Sequence, residues 1–171
     1  MIVYNRGVSG FTTDDFIENI GTVLLDLEPN TVFINIGTND ISERSDGQSW
    51  LEHILENYKR IFNMLTSKLP ETKVYIMAYY PANHRVIMQK EESSLLFSLR
   101  TKENLDIANE AVKELAGKYS VEFIDVNRGL SDEKGELKAE YTTDGVHMYP
   151  EAYNIVFDNL KPYLSRLRMI F

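Results

Sequence analysis

The chain has 171 residues, 43% of them hydrophobic and 26% charged, and a net charge of −8. This length fits one domain with a sizeable core, and the acidic balance argues against binding to nucleic acid or to an anionic membrane surface. No run approaches the ~18 apolar residues of a membrane span. The absence of cysteine excludes disulfides and thiolate metal sites and favours a cytoplasmic protein.

The N-terminal part alternates strand and helix signals. The run Ile2-Val3-Tyr4 predicts a short strand, because β-branched and aromatic residues favour strands. Thr12, followed by acidic residues, predicts the start of a helix, which ends before Pro29. The apolar run from Thr31 to Ile36 is typical of a strand that is buried on both faces.

The remaining elements continue the alternation. Helical spacing of apolar residues predicts helices over about 48–68 and 99–118 and from Pro150 to about Leu164, and strands are predicted over 73–78 and 121–126. Alternating strands and helices indicate parallel strands joined by crossovers, hence an α/β fold with its site at the carboxyl ends of the strands. We expect one domain over residues 1–171.

The stretch from Arg85 to Ser98 is the least regular part of the sequence. It is either an ordinary solvated connection or a mobile lid over a site. The first reading is favoured, because long connections are only sometimes functional.

Asp144 and His147 are candidates for acid–base chemistry. They lie three residues apart in a glycine-containing turn, which can bring the carboxylate to the imidazole Nδ1–H and leave Nε2 as a general base. On spacing alone, a solvated turn that caps the helix at Pro150 is favoured, because an aspartate and a histidine at this spacing often occur by chance. The catalytic reading gains weight from two further candidates that follow predicted strands.

Those two candidates are Gly10 and Asn39. The amide of Asn39 can stabilise an oxyanion, and the backbone N–H of Gly10 lets a substrate oxygen approach because no Cβ intervenes. The alternative for the segment Gly37-Thr38-Asn39-Asp40 is a simple tight turn, since its residue types are common in turns. Asp40 is interpreted as a turn or cap carboxylate.

Three segments together resemble the SGNH (GDSL-type) ester hydrolases. They are Asn5-Arg6-Gly7-Val8-Ser9-Gly10, Gly37-Thr38-Asn39-Asp40 and Asp144-Gly145-Val146-His147, which appear in the family's order and span most of the chain. One departure is Phe11, where many relatives have Asp. The resemblance implies a three-layer α/β/α, flavodoxin-like doubly wound parallel sheet.

The resemblance also implies functional roles. Gly10 and Asn39 would donate to the oxyanion hole, and Asp144 and His147 would be two members of a serine hydrolase triad. The implied reaction is hydrolysis of carboxylic esters with small or simple acyl groups, without metal or organic cofactor. One substrate carbonyl must reach these groups, so we expect Gly10, Asn39 and His147 within about 12 Å of one another.

The family's nucleophile block, a Gly-Asp-Ser motif after the first strand, has no counterpart in this sequence. Ser9 lies in a segment close to a G-x-S-x-G elbow, but Phe11 replaces the last glycine, and nothing marks Ser42 or Ser45. We therefore assign no nucleophile within the chain, and we expect the chain alone to have little esterase activity. The alternative is an inactive, hydrolase-like binding domain.

Metal-dependent hydrolysis is the competing enzyme class. Asp40, Asp125, Asp144 and His147 could form a carboxylate-rich site, but no H-x-x-x-H or D-x-H spacing supports one. His53 and His84 are interpreted as surface histidines. We expect no metal site and no dinucleotide site.

A family sheet without its first strand would leave backbone groups unpaired, which is costly. We therefore expect Ile2-Val3-Tyr4 to shift inward and pair with Thr31–Ile36, or else a second copy of the chain to supply the edge in a homodimer. The inward shift is favoured, because these three side chains suit a sheet.

Overall fold

The computed structural model describes residues 2–166. The helices are α1 (Thr13–Val23), α2 (Trp50–Lys68), α3 (His84–Met88), α4 (Glu91–Phe97), α5 (Lys102–Lys118) and α6 (Pro150–Arg166). The strands are β1 (Thr31–Ile34), β2 (Lys73–Met77) and β3 (Glu122–Ile124). Short 3₁₀ turns occupy Leu25–Leu27, Thr38–Asp40 and Ala139–Tyr141.

The contacts of the chain group into two compact units. The first comprises residues 1–76 and 108–123, and the second comprises residues 77–107 and 124–171. The expected single domain stays a prediction. No helix within residues 2–166 combines the length and apolar character that a bilayer crossing requires.

The strands form a sheet with the order β1-β2-β3. β1 and β2 run parallel, with Thr31 opposite Lys73 and Ile34 opposite Ile76, and helix α2 provides the crossover between them. A parallel pair joined through a helix is what alternating strand and helix signals predict. The α/β class is confirmed, and the strands are one to three residues shorter than predicted.

Helix α2 provides much of the core of the first unit. Its buried face carries apolar residues at helical spacing: Ile54, Tyr58, Ile61, Phe62 and Leu65. Tyr58 also donates its hydroxyl to the carbonyl of Ile36 at 2.8 Å. This bond ties α2 to the segment just past β1, where the Asn39 turn begins.

Helix α1 begins as the sequence predicts. Thr12 is the N-cap, and its side chain and that of Asp15 form a reciprocal capping box. The cap fixes the chain direction directly after Gly10. The oxyanion candidate therefore precedes an anchored helix start.

The predicted strand at Ile2-Val3-Tyr4 is wrong. These residues have no strand pairing in the described chain, and their side chains are exposed, that of Ile2 to 79%. A strand exists only when its backbone groups find a ladder partner, so local propensity alone does not make one. The expected inward shift onto β1 does not occur.

In the second unit, side-chain amides hold the loops that follow the strands. Asn159 of α6 donates to the carbonyls of Val126 and Arg128, at 2.9 and 2.8 Å. Asn83 donates its side chain to Leu137 O at 2.6 Å and caps α3 by accepting from Val86 N. These bonds satisfy loop backbone groups that would otherwise be buried without partners.

Candidate active site

Asp144 and His147 meet as expected. Oδ2 of Asp144 lies 2.6 Å from Nδ1 of His147, while its Oδ1 accepts the backbone N–H groups of Val146 and His147 at 2.9 and 2.8 Å. The carboxylate thus closes the turn and orients the ring at the same time. The side chain of His147 is 69% exposed, so the ring stands open to solvent.

The ionised form of the Asp144 side chain is strongly favoured over the protonated form. Burial alone would raise its pKa, but hydrogen bonds from the His147 side chain and from two backbone N–H groups, together with the charge of His147, lower the pKa to about 2. A depressed carboxylate pKa stabilises the fold above the ordinary value of 3.8, and this contribution is lost as the pH falls towards 2. At neutral pH Asp144 is therefore a carboxylate, bonded to the ring of His147.

Gly145 allows the turn to approach helix α3. It has φ +89°, and its carbonyl accepts the backbone N–H of Asn83 at 2.7 Å. A Cβ at this position would lie 2.6 Å from Asn83 O and 2.9 Å from Ile87 N, both backbone atoms. The glycine in the D-G-V-H segment is therefore required by packing and by conformation.

We expect Gly145→Ala to reduce the free energy of unfolding by about 2–3 kcal/mol, from left-handed strain and from backbone overlap. Gly129→Ala is the matched control. Gly129 also has a positive φ, of +96°, but a Cβ there meets only Ile155 Cγ2 at 3.5 Å, an ordinary contact. Urea denaturation of both variants measures the difference, and equal losses would show that the close approach at Gly145 is unimportant.

The oxyanion candidates lie in the first unit. Gly10 has φ +80°, and a Cβ there would meet nothing within 4 Å, so the space beside it is open. The side-chain amide of Asn39 donates to Phe11 O at 2.8 Å, which ties the Asn39 turn to the residue after Gly10. The two candidates belong to one local arrangement, and their expected distance from His147 stays a prediction.

Asp40 acts as the cap carboxylate that the sequence suggested. It is 4% exposed and accepts both the backbone N–H of Thr13, at 2.9 Å to Oδ2, and the Thr13 hydroxyl. Burial raises its pKa, and the bonds from Thr13 act against that rise. Asp40 thus fastens the first turn of α1 to the Asn39 turn.

His53 is not a surface residue, which corrects the expectation. It is 9% exposed, and its Nε2 lies 2.7 Å from Asp14 Oδ2, in a network that also contains Asn57. Helical spacing placed His53 on α2 but could not show that α1 packs against that position. His84 begins α3 and is half-buried.

A carboxylate–imidazole grouping that could hold a metal ion consists of Asp14, Asp40 and His53, a different set from the one weighed in the sequence. Asp40 is bonded to Thr13, and Asp14 is bonded to His53. Through these bonds the grouping links α1 to the Asn39 turn and to α2.

The serines considered as nucleophiles show no catalytic arrangement. Ser9, Ser42 and Ser45 lie in exposed turns or loops of the first unit. No hydrogen bond between a histidine and any of the three is seen within residues 2–166. None of them therefore gains support from the structure.

Comparison with known proteins identifies the class. Residues 1–155 match the GDSL-like Lipase/Acylhydrolase family, and the chain belongs to this family. The structure from Streptococcus pneumonia, provisionally described as a platelet activating factor, is 33% identical with a TM-score of 0.80, over 94% of this chain and 72% of that one. A GDSL-like lipase from Bacteroides thetaiotaomicron shares the fold, with 22% identity and a TM-score of 0.75 over 95% of this chain and 75% of that one.

Two curated relatives have esterase names. The isoamyl acetate-hydrolyzing esterase of Saccharomyces cerevisiae is 25% identical over 94% of this chain and 67% of its own length. The GDSL esterase/lipase WDL1 of Oryza sativa is 23% identical over 78% of this chain, which spans 53% of that relative. The fold class implied by the sequence resemblance is confirmed by these matches.

Proposed function

We propose that the chain carries the base and the oxyanion donors of a serine carboxylic-ester hydrolase for small or simple acyl esters. The observation that carries the proposal is the 2.6 Å contact between Asp144 Oδ2 and His147 Nδ1. The contact keeps the Nδ1–H tautomer, and Nε2 is then the basic nitrogen. Family membership and esterase-named relatives support the same reaction.

In the proposed reaction, a serine hydroxyl gives its proton to His147 Nε2 while its oxygen attacks the ester carbonyl. The N–H groups of Gly10 and Asn39 stabilise the oxyanion that forms. Collapse expels the alcohol, which takes the proton from His147, and leaves an acyl-serine. Water then gives a proton to His147 and attacks the acyl carbon, and the serine oxygen leaves with that proton as the carboxylic acid is released.

None of the serines in the chain is proposed as that nucleophile. Two proteins test this assignment: the 171-residue chain, and an extended protein in which a strand that ends in the family's Gly-Asp-Ser motif is fused before Met1. We expect the extended protein to hydrolyse a short-chain aryl ester at least about a hundredfold faster than the chain alone, because base and oxyanion donors need a nucleophile to act on.

The control is the extended protein with its motif serine changed to alanine, which should return the rate to that of the chain alone. A folded but inert extended protein would favour the hydrolase-like binding domain. Conversely, full activity of the chain alone, abolished by Ser9→Ala, would place the nucleophile at Ser9.

We also propose a cytoplasmic location, supported by the cysteine-free composition. A homodimer, in which a second chain pairs with the sheet edge, follows only from the family's sheet arrangement. Sedimentation of the purified chain tests it, since a monomer at all concentrations contradicts the pairing.

A further inference from the structure

Phe97 links helix α4 to the catalytic turn. It is the last residue of α4, and its ring lies 5.9 Å from the His147 imidazole, centroid to centroid, at an angle of 72°. This is an edge-to-face contact, the arrangement that aromatic rings prefer. The stretch 85–98, irregular by sequence, is thus two short helices whose end supports the catalytic ring.

Arg100 also contacts Phe97. Its guanidinium carbon is 4.3 Å from the centroid of Phe97, and its backbone N–H donates to Phe97 O at 2.9 Å. The chain therefore folds back after α4 and places a cation over the ring. Asn104 holds the next residues by donating to Leu99 O at 2.7 Å.

The burial of Arg100 is unusual for an arginine. The residue is 5% exposed, and an arginine is almost never so buried unless it is paired. Burial lowers its pKa to about 10, and the charge of Asp144 acts in the opposite direction. Arg100 therefore stays a cation at neutral pH.

We propose that Phe97 and Arg100 are positioning residues for the Asp144–His147 dyad. Phe97 restricts the imidazole through the ring contact, and Arg100 holds Phe97 through its guanidinium over the ring and through its backbone bond to Phe97 O. Arg100 therefore acts on His147 through Phe97. This proposal depends on the proposed esterase function only because that function gives the Asp144–His147 dyad its catalytic role.

The test follows the ring protons of His147 by NMR in the 171-residue chain, so no ester hydrolysis is needed. Phe97→Leu should abolish the ring-current shift that Phe97 produces at these protons. In Arg100→Met, which keeps length and removes charge, we expect that shift to fall, because Phe97 loses the cation over its ring. Arg100→Lys keeps the charge and should hold the shift close to its native value.

Arg128→Met is the matched control, because it removes an exposed arginine of the same unit. The proposal is overturned if Arg100→Met leaves the His147 ring-proton shift unchanged, or if Arg128→Met lowers it equally. If Arg100→Met does not fold, Arg100→Lys and Phe97→Leu decide, and an unchanged His147 ring-proton shift in Phe97→Leu overturns it. An extended protein without esterase activity would contradict the proposed function, but it would not affect these NMR measurements, which use the 171-residue chain.

Discussion

Replacing Asp144 by asparagine is expected to lower kcat of the extended protein by about 10⁴-fold, the loss known for this change in serine proteases. An asparagine Oδ1 can still accept from the backbone N–H groups of Val146 and His147, so the turn survives. Its amide, however, presents a donor where Asp144 Oδ2 accepts from Nδ1. The imidazole then places its proton on Nε2 and can no longer act as the base.

Two measurements check this expectation. Ester hydrolysis by the extended protein gives the loss in kcat, and ¹⁵N NMR of the chain alone gives the tautomer of His147. Asp125→Asn is the matched control. Asp125 also closes a turn, accepting from Asn127 N at 2.8 Å, but has no histidine partner. Retention of the Nδ1–H tautomer in Asp144→Asn would contradict the proposed role of the carboxylate.

The elements and the dyad were predictable because their signals are local. Three features are set within a few positions of the chain: the spacing of apolar residues on α2, the Thr12 cap, and the three-residue separation of Asp144 and His147. A turn or a helix start depends on nearby backbone geometry, so the sequence is enough to predict it.

The errors and omissions depend on contacts that are distant in sequence. Ile2-Val3-Tyr4 has the composition of a strand but no pairing partner, and His53 is buried by a helix 39 residues away at Asp14. No motif marks Phe97, whose ring contacts His147, or Arg100, which contacts Phe97. The burial of an arginine can be recognised only in the structure, because arginine is usually a surface residue and the sequence predicts it to be exposed.

The segment Gly37-Thr38-Asn39-Asp40 contains both an oxyanion candidate, Asn39, and a structural carboxylate, Asp40. Stability measurements test the structural role of Asp40. Asp40 receives the backbone N–H and the hydroxyl of Thr13, a residue with no exposed surface. Without the carboxylate, both donors would be buried without this acceptor. Hydrogen bonds to a charged group contribute ~1.5–3 kcal/mol each, so the loss is large.

We therefore expect Asp40→Ala to reduce the free energy of unfolding by about 3–5 kcal/mol, measured by urea denaturation at neutral pH. Asp40→Asn should lose less, because its carbonyl oxygen can still accept and because the neutral amide avoids the desolvation that raises the pKa of Asp40. Asp15→Ala is the control, since Asp15 accepts the same two donor types from Thr12 but in contact with water.

Water can replace the Asp15 carboxylate, so its removal should cost much less than the removal of Asp40. The consequence for the site follows from Asn39, whose amide is tied to Phe11 O two residues before Thr13. If Asp40 fastens α1 to this turn, Asp40→Ala should also increase hydrogen exchange at the amides of Gly10 and Phe11. Equal losses for Asp15→Ala and Asp40→Ala, with unchanged exchange, would mean that Asp40 only caps a helix and that Asn39 keeps its position without it.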